Sequence, residues 1–247
     1  MAAAKTKIAL ISGGARGIGR GLGLALAQDG WDVAFCYRTS TQAAKTTRHD
    51  ILNAGRMCLA LRCDLSKPQA AKRAVRRIEE EWGGVDALIN CVGAFRRVPL
   101  LDDSATGWQD MFSNNLHPVF YLCQAVAGGM RKHKWGRIIN FSIAKVEQMA
   151  AQPNITAHYI AKAGVLILTR TLAKILAVDG ITVNAISPGF IDSAEGAKSL
   201  VQELGVNIPA GRLGKADEVV AAVRYLLSEE AAYVNGTNLV VSGGWGV

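Results

Sequence analysis

Three side chains able to carry a proton crowd the stretch Ala157-His158-Tyr159-Ile160-Ala161-Lys162-Ala163. On a regular helix, position 158 lies about 40° from Lys162 around the axis and position 159 about 60° to the other side, so the two diverge by roughly 100°. Groups of this kind can give a proton to, or take one from, an oxygen on which charge develops, aided by hydrogen bonds aimed at that oxygen. An unperturbed imidazole titrates near ~6.5 and a phenol near ~10, so His158 can donate at neutral pH with the less tuning. The neighbouring Lys162 cation depresses the imidazolium, which predicts an acid optimum. Tyr159 stands over Lys162 only if the first turn is 3₁₀, where residues three apart eclipse, and the irregular approach Asn154 to Thr156 allows it. Both acids stay open at this point.

The elements that position these residues follow from hydrophobic periodicity. Strands are expected at Lys7–Ser12, Trp31–Tyr37, Met57–Arg62, Val85–Asn90, Arg137–Ser142, Thr182–Ile186 and Asn238–Val241. Helices are expected at Gly17–Asp29, Gln42–Ala54, Lys67–Trp82, from about Trp108, at Asn115–Lys132, at Ala157–Val178 and at Ala216–Ser228. This alternation predicts one α/β domain over residues 1–247, a doubly wound Rossmann parallel sheet of about seven strands with helices on both faces. Ligands of such sheets bind beyond the carboxyl ends of the strands, and every residue singled out here falls at such an end or on a helix beside one.

At the first of those ends, Gly13, Gly17 and Gly19 in SGGARGIG form a turn between strand and helix, whose free amides suit a pyrophosphate. The second strand ends in Tyr37-Arg38-Thr39, without the acidic residue that would hold a ribose 2'-hydroxyl. Arg38 and Arg16 make an anion clamp there instead, so NADP is the expected cofactor. Asp64 follows the third strand, where it can cap the helix beginning near Lys67 and, compatibly with that, face the crevice.

The form G-x-x-x-G-x-G, Asn90-Cys91-Val92-Gly93, Pro188-Gly189-Phe190-Ile191, AKAG around Lys162 and the ending Ser242-Gly243-Gly244 together resemble the classical short-chain dehydrogenase/reductase family. The phrases GITVNAISPGFI and IPAGRLGKADEV are most similar to its 3-oxoacyl-(acyl-carrier-protein) reductase-like members. The resemblance implies cofactor contacts from Gly13, Arg16, Gly17, Ile18, Gly19, Arg38, Asp64, Leu65, Asn90, Gly93, Lys162, Pro188, Gly189 and Ile191. It implies a catalytic set in which Asn115 organises a water relay, Ser142 binds the carbonyl, and Lys162 holds the nicotinamide ribose and tunes the acid. The family's tyrosine stands four residues before the lysine; here His158 occupies that place and Tyr159 is shifted by one. The implied activity is NADPH-dependent reduction of a ketone, a 3-oxoacyl thioester or similar small carbonyl, to a secondary alcohol, in a homotetramer or homodimer. The alternative is a catalytically impaired NADP-binding member acting as a sensor or inactive subunit. Residues 193–207 occupy the place of a substrate lid. Docking of a carrier protein calls for basic helix ends; Arg131, Lys132 and Lys134 supply one, whereas Val178-Asp179 has the wrong sign for the other.

Composition narrows the alternatives. Hydrophobic residues make up 50% of the 247 and charged residues 19%, as in a globular enzyme with a buried sheet. No apolar run reaches membrane-spanning length and no secretory signal is evident, so a cytoplasmic protein is expected. The net charge of +8 is dispersed over many helices without interleaved aromatics, which argues against nucleic acid. Five scattered cysteines without paired spacing suggest reduced thiols and no metal site.

Overall fold

The computed structural model describes residues 6–192, 201–202 and 207–246, so the expected lid at 193–207 falls almost wholly outside the described residues. Seven parallel strands form the sheet: β1 Ile8–Ser12, β2 Asp32–Tyr37, β3 Cys58–Arg62, β4 Ala87–Asn90, β5 Gly136–Phe141, β6 Ile181–Pro188 and, after a separate pair described below, β9 Asn238–Val241. Their order is β3-β2-β1-β4-β5-β6-β9, as the doubly wound expectation requires. The chain runs outward from β1 to β3, then returns to lay β4 against β1. That reversal opens a crevice beyond Ser12 and Asn90, which are register partners on the two strands.

Strand residues alternate between two cores because successive side chains point to opposite faces. Ile8 and Leu10 face the layer of α3 (Pro68–Trp82), α5 (His117–His133) and α6 (Thr156–Leu176). Ala9 and Ile11 face α1 (Gly17–Gln28), α2 (Thr41–Asn53) and α7 (Ala216–Leu227). Leu10, Ile11, Phe35, Leu88 and Ile89 are fully enclosed; each contributes about 1.5–3 kcal/mol through burial. Pro68 opens α3 at the first-turn position where its missing N–H costs nothing, and Gly83, at φ 88°, ends it in the left-handed conformation.

Three local outcomes differ from the periodic pattern. The helices expected from about Trp108 and at Asn115–Lys132 are α4 (Ala105–Asn115) and α5, abutting at Leu116. Ser104 caps α4 by accepting from the Gly107 amide, so that helix starts earlier than its apolar residues indicated. Finally, β7 (Ile191–Asp192) and β8 (Gly214–Lys215) make a two-stranded parallel pair that ties the segment after Pro188 to the start of α7. These strands are too short to show a period of two.

Among the described residues, no helix is long and apolar enough to cross a membrane and no cluster of metal-ligating side chains occurs.

Candidate active site

The crevice at the switch point is an open cleft of about 810 Å³. Of the expected cofactor residues, Gly13, Arg16, Gly17, Ile18, Gly19, Arg38, Asp64, Leu65 and Gly93 line it. The amides of Gly13 and Gly14 both donate to the Cys36 carbonyl, pinning the loop to the end of β2. Gly13 adopts φ 75° and Gly17 φ 55°, left-handed conformations that a side chain would strain. A Cβ on Gly19 would come 2.4 Å from the Gly13 carbonyl oxygen, so the helix start and the loop touch backbone to backbone. Gly19→Ala is expected to destabilise the fold by ~1–3 kcal/mol through overpacking and to weaken dinucleotide binding at least tenfold. Thermal unfolding and cofactor titration read the two effects separately; unchanged affinity would show that the loop does not cradle the ligand.

At the far end of the cleft, Arg38 Nη1 donates to Asn114 Oδ1 at 3.0 Å and lies 4.0 Å from Asp64. Arg62 Nε donates to the Arg38 carbonyl, adding a third guanidinium to this corner. Neither Asn114 nor Arg62 was singled out by motif, and adjacency to Asn115 was the only available hint for the former. Asp64 accepts from the Ser66 amide at 3.1 Å, while α3 begins at Pro68 with no side-chain cap. Of its two expected roles, capping is therefore ruled out, and Asp64 makes a local turn facing the cleft.

Five expected cofactor residues do not line this cleft, Lys162, described below, among them. Asn90 is fully buried, and its amide donates to Asn140 Oδ1 at 2.9 Å in the middle of the sheet. Asn140 in turn donates to Thr169, so Asn90 starts a polar chain joining the central strands to α6. Pro188 ends β6 and accepts the Ala144 amide; Gly189 packs within 2.9 Å of Ser242, measured from where its Cβ would be; Ile191 is buried in β7. These last three follow one another at and just beyond the end of β6.

The proton-carrying residues converge differently from expectation. Asn115 Nδ2 donates to the Ala94 carbonyl at 3.0 Å, and His158 Nδ1 meets the same oxygen at 3.0 Å. Lys162 Nζ donates to the Phe141 carbonyl at 2.9 Å. A Cβ on Gly93 would lie 2.8 Å from Asn115 Oδ1 and 3.3 Å from Lys162 Nζ, so glycine there makes room for both side chains. Asn115 Oδ1 is buried without a hydrogen bond among the described residues. The shared Ala94 acceptor is a backbone oxygen and carries no sequence signal.

Two expected catalytic hydroxyls point elsewhere. The Tyr159 amide donates to Ile155 O at 2.8 Å, the four-residue bond of an α-helix, so the first turn of α6 is not 3₁₀. Tyr159 is accordingly swung away from Lys162, and its hydroxyl donates to the carbonyls of Lys145 (2.8 Å) and Val146 (3.2 Å). Those carbonyls belong to a turn flanked by Lys145 and Met149, both at positive φ, which Tyr159 holds in place. Ser142 is buried, and its Oγ donates to the Lys162 carbonyl at 2.9 Å. Its hydroxyl secures strand to helix instead of facing a carbonyl substrate.

Burial pushes the His158 imidazole down from its ordinary range to about 4, with Lys162 adding charge repulsion and the Ala94 hydrogen bond opposing both. Burial likewise lowers Lys162 to about 8. The unfolded chain binds a proton at residue 158 near ~6.5 and the folded one only near 4, so acidification across that window favours unfolding, by ~3 kcal/mol in full. The melting temperature is expected to fall between pH 6.5 and 4, and His158→Phe to flatten that slope. An unchanged slope would mean that the buried imidazole is not its source.

Residues 13–246 match the family described as Enoyl-(Acyl carrier protein) reductase. The 3-oxoacyl-(acyl-carrier-protein) reductase of Vibrio cholerae serotype O1 is 36% identical over 243 residues, covering 96% of both chains. That of Synechocystis sp. is 34% identical over 99% of this chain and 98% of its own. Among solved structures, levodione reductase superposes with a TM-score of 0.88 at 27% identity, covering 96% of each chain. Acetoin dehydrogenase from Enterobacter cloacae does so at 0.88 and 28%, covering 98% of this chain and 96% of the other. The chain belongs to the short-chain dehydrogenase/reductase family of oxidoreductases.

Proposed function

We propose that the chain is a single-domain, NADP-dependent oxidoreductase that interconverts a ketone and a secondary alcohol. The observation that carries the cofactor choice is the guanidinium corner of the cleft: Arg38 with Arg16 lining it, Arg62 behind, and no acidic residue at the end of β2. The fit to a dinucleotide rests on the Gly13–Gly19 turn, whose missing Cβ atoms leave the helix amides open to a pyrophosphate. The cofactor supplies or removes a hydride. Lys162 is placed to hold its ribose, and Pro188, Gly189 and Ile191 to floor the nicotinamide end. His158 handles the proton, because it occupies the helical position one turn before Lys162 and the Tyr159 and Ser142 hydroxyls are bonded elsewhere.

The names of the relatives support a 3-oxoacyl thioester or similar small carbonyl as substrate. Asp179 accepts from Arg131 Nε at 2.7 Å and Lys134 Nζ at 2.5 Å, which offsets only part of the basic helix end wanted for an acidic carrier protein. A small free carbonyl and a carrier-bound one are both compatible with this helix end. The exposed Phe120 on α5 and Ile160 and Ile167 on α6 favour a homo-oligomer, a dimer or tetramer. The dispersed basic residues suit a cytoplasmic protein that binds no nucleic acid.

NADPH oxidation with a panel of 3-oxoacyl thioesters, diketones and hydroxyketones tests this reading, alongside calorimetric titration of NADPH. Turnover supports it. Tight NADPH binding without turnover would favour the second reading, an impaired member acting as a sensor or inactive subunit. That reading draws on one observation: no hydroxyl of Ser142 or Tyr159 is free to aid the acid.

A further inference from the structure

A carbonyl oxygen has no hydrogen to give. The contact between His158 Nδ1 and the Ala94 oxygen therefore requires that Nδ1 carry the hydrogen, whatever the charge of the ring. In the neutral ring this leaves Nε2 as a bare acceptor, and Nε2 has no hydrogen bond to the described residues. Asn115 Nδ2 donates to the same carbonyl, so that oxygen's direction is fixed from a second side. The ring is also held by Phe95, edge to face at 5.2 Å, and is buried.

We infer that His158 is a base with a preset tautomer, which makes the chemistry of this site the oxidation of a secondary alcohol by proton removal at Nε2. The inference rests on the reading of the chain as a nicotinamide-dependent oxidoreductase and specifies the direction its residues favour. The carbinol O–H proton passes to Nε2, the carbinol C–H hydrogen leaves with its electron pair to the oxidised nicotinamide, and a C=O bond forms. The imidazolium then gives its proton to water. In the reverse direction the ring must first be protonated, and its surroundings oppose this. Lys162 follows one turn along α6 and is itself a cation. Arg96 and Asp103, which share a small hollow with His158, are paired with each other, so that carboxylate is not free to stabilise an imidazolium. Met111, from α4, is apolar. Burial and Lys162 hold the imidazole near 4, in agreement with the geometry.

Two measurements test this on the full-length protein. The first needs no turnover: long-range nitrogen–proton NMR of histidine-labelled protein, with His158→Gln identifying its signals among the four histidines. Expected are a protonated Nδ1, a pyridine-like Nε2 and no titration between pH 5.5 and 7.5. A proton on Nε2 in the neutral ring, or titration near 6.5, overturns the inference. The second is kcat/KM in both directions for one alcohol–ketone pair that the enzyme turns over. Below the titration of Lys162, oxidation is expected to be flat from pH 5.5 to 7.5, while reduction falls ~10-fold per pH unit. His158→Gln keeps a donor for Ala94 but cannot titrate; it is expected to lose ~10²-fold or more in both directions with NADP affinity unchanged. Reduction independent of pH over this window would overturn the base role. Absence of all turnover would sink the oxidoreductase reading, while the NMR result would still decide the tautomer.

Discussion

Replacing His158 by tyrosine is expected to raise ketone reduction at pH 7 at least tenfold and to remove its dependence on acid. At an imidazole pKa of about 4, only about one molecule in a thousand carries the imidazolium at neutrality. A phenol with a pKa near ~10 is fully protonated there, and Lys162 one helical turn away would favour its anion after transfer. The longer side chain also reaches beyond the Ala94 carbonyl that holds the imidazole. Initial rates of NADPH oxidation from pH 5 to 9, compared with those of His158→Phe, check the effect. A tyrosine variant no faster than the phenylalanine one would mean that residue 158 does not face the reacting carbonyl.

Arg38→Asp is the second large expectation. A charge-assisted hydrogen bond contributes about 1.5–3 kcal/mol, so losing it costs NADPH roughly 10- to 150-fold in affinity. The new carboxylate adds repulsion of a 2'-phosphate and supplies the ribose acceptor that β2 lacks, so NADH should gain while NADPH loses. Arg38 is half exposed and held by Asn114 and Asp64, neither of which contributes to the core, so folding should be unaffected. Titrations of both cofactors against wild type and variant read the outcome. Equal losses for NADPH and NADH would show that Arg38 senses the pyrophosphate or nothing at all, and would remove the ground for NADP.

The same two sites show how far residue types carry an argument. Arg38 was readable because the end of β2 is marked by the apolar run before it, and a guanidinium there meets whatever charge the ligand brings. The alternation of strands and helices was readable because burial on both faces of a parallel sheet imposes it on composition. Two helices meeting near Asn115 were readable as well, but not that the second starts at His117, with Leu116 as the junction between them. The 100° divergence of positions 158 and 159 followed from helical geometry, but the choice between α and 3₁₀ in the first turn did not. That choice fell to the bond from the Tyr159 amide to Ile155 and to the two carbonyls, Lys145 and Val146, that receive the phenol.

Ser142 was a good candidate by position and is committed by packing. Its hydroxyl lies beneath α6, and a buried hydroxyl takes the nearest acceptor, here the Lys162 carbonyl. Asn90 behaves likewise, turning into the sheet toward Asn140. The basic cluster at Arg131 and Lys134 was visible as charge, whereas its partial neutralisation depends on Asp179, more than forty residues later, arriving between them.

Residue types and their order by themselves determined the doubly wound fold, the glycine turn, the guanidinium corner and the place of the imidazole one turn before Lys162. These depend on local periodicity and on distances along a single element, which the order of residues specifies directly. Only the tertiary structure decided which hydroxyls face the site, which atom of His158 carries its hydrogen, and that Asn115 and His158 share one acceptor. Each of those depends on a backbone carbonyl brought in from another element, and a carbonyl is present at every residue, so nothing in the sequence distinguishes the one that matters.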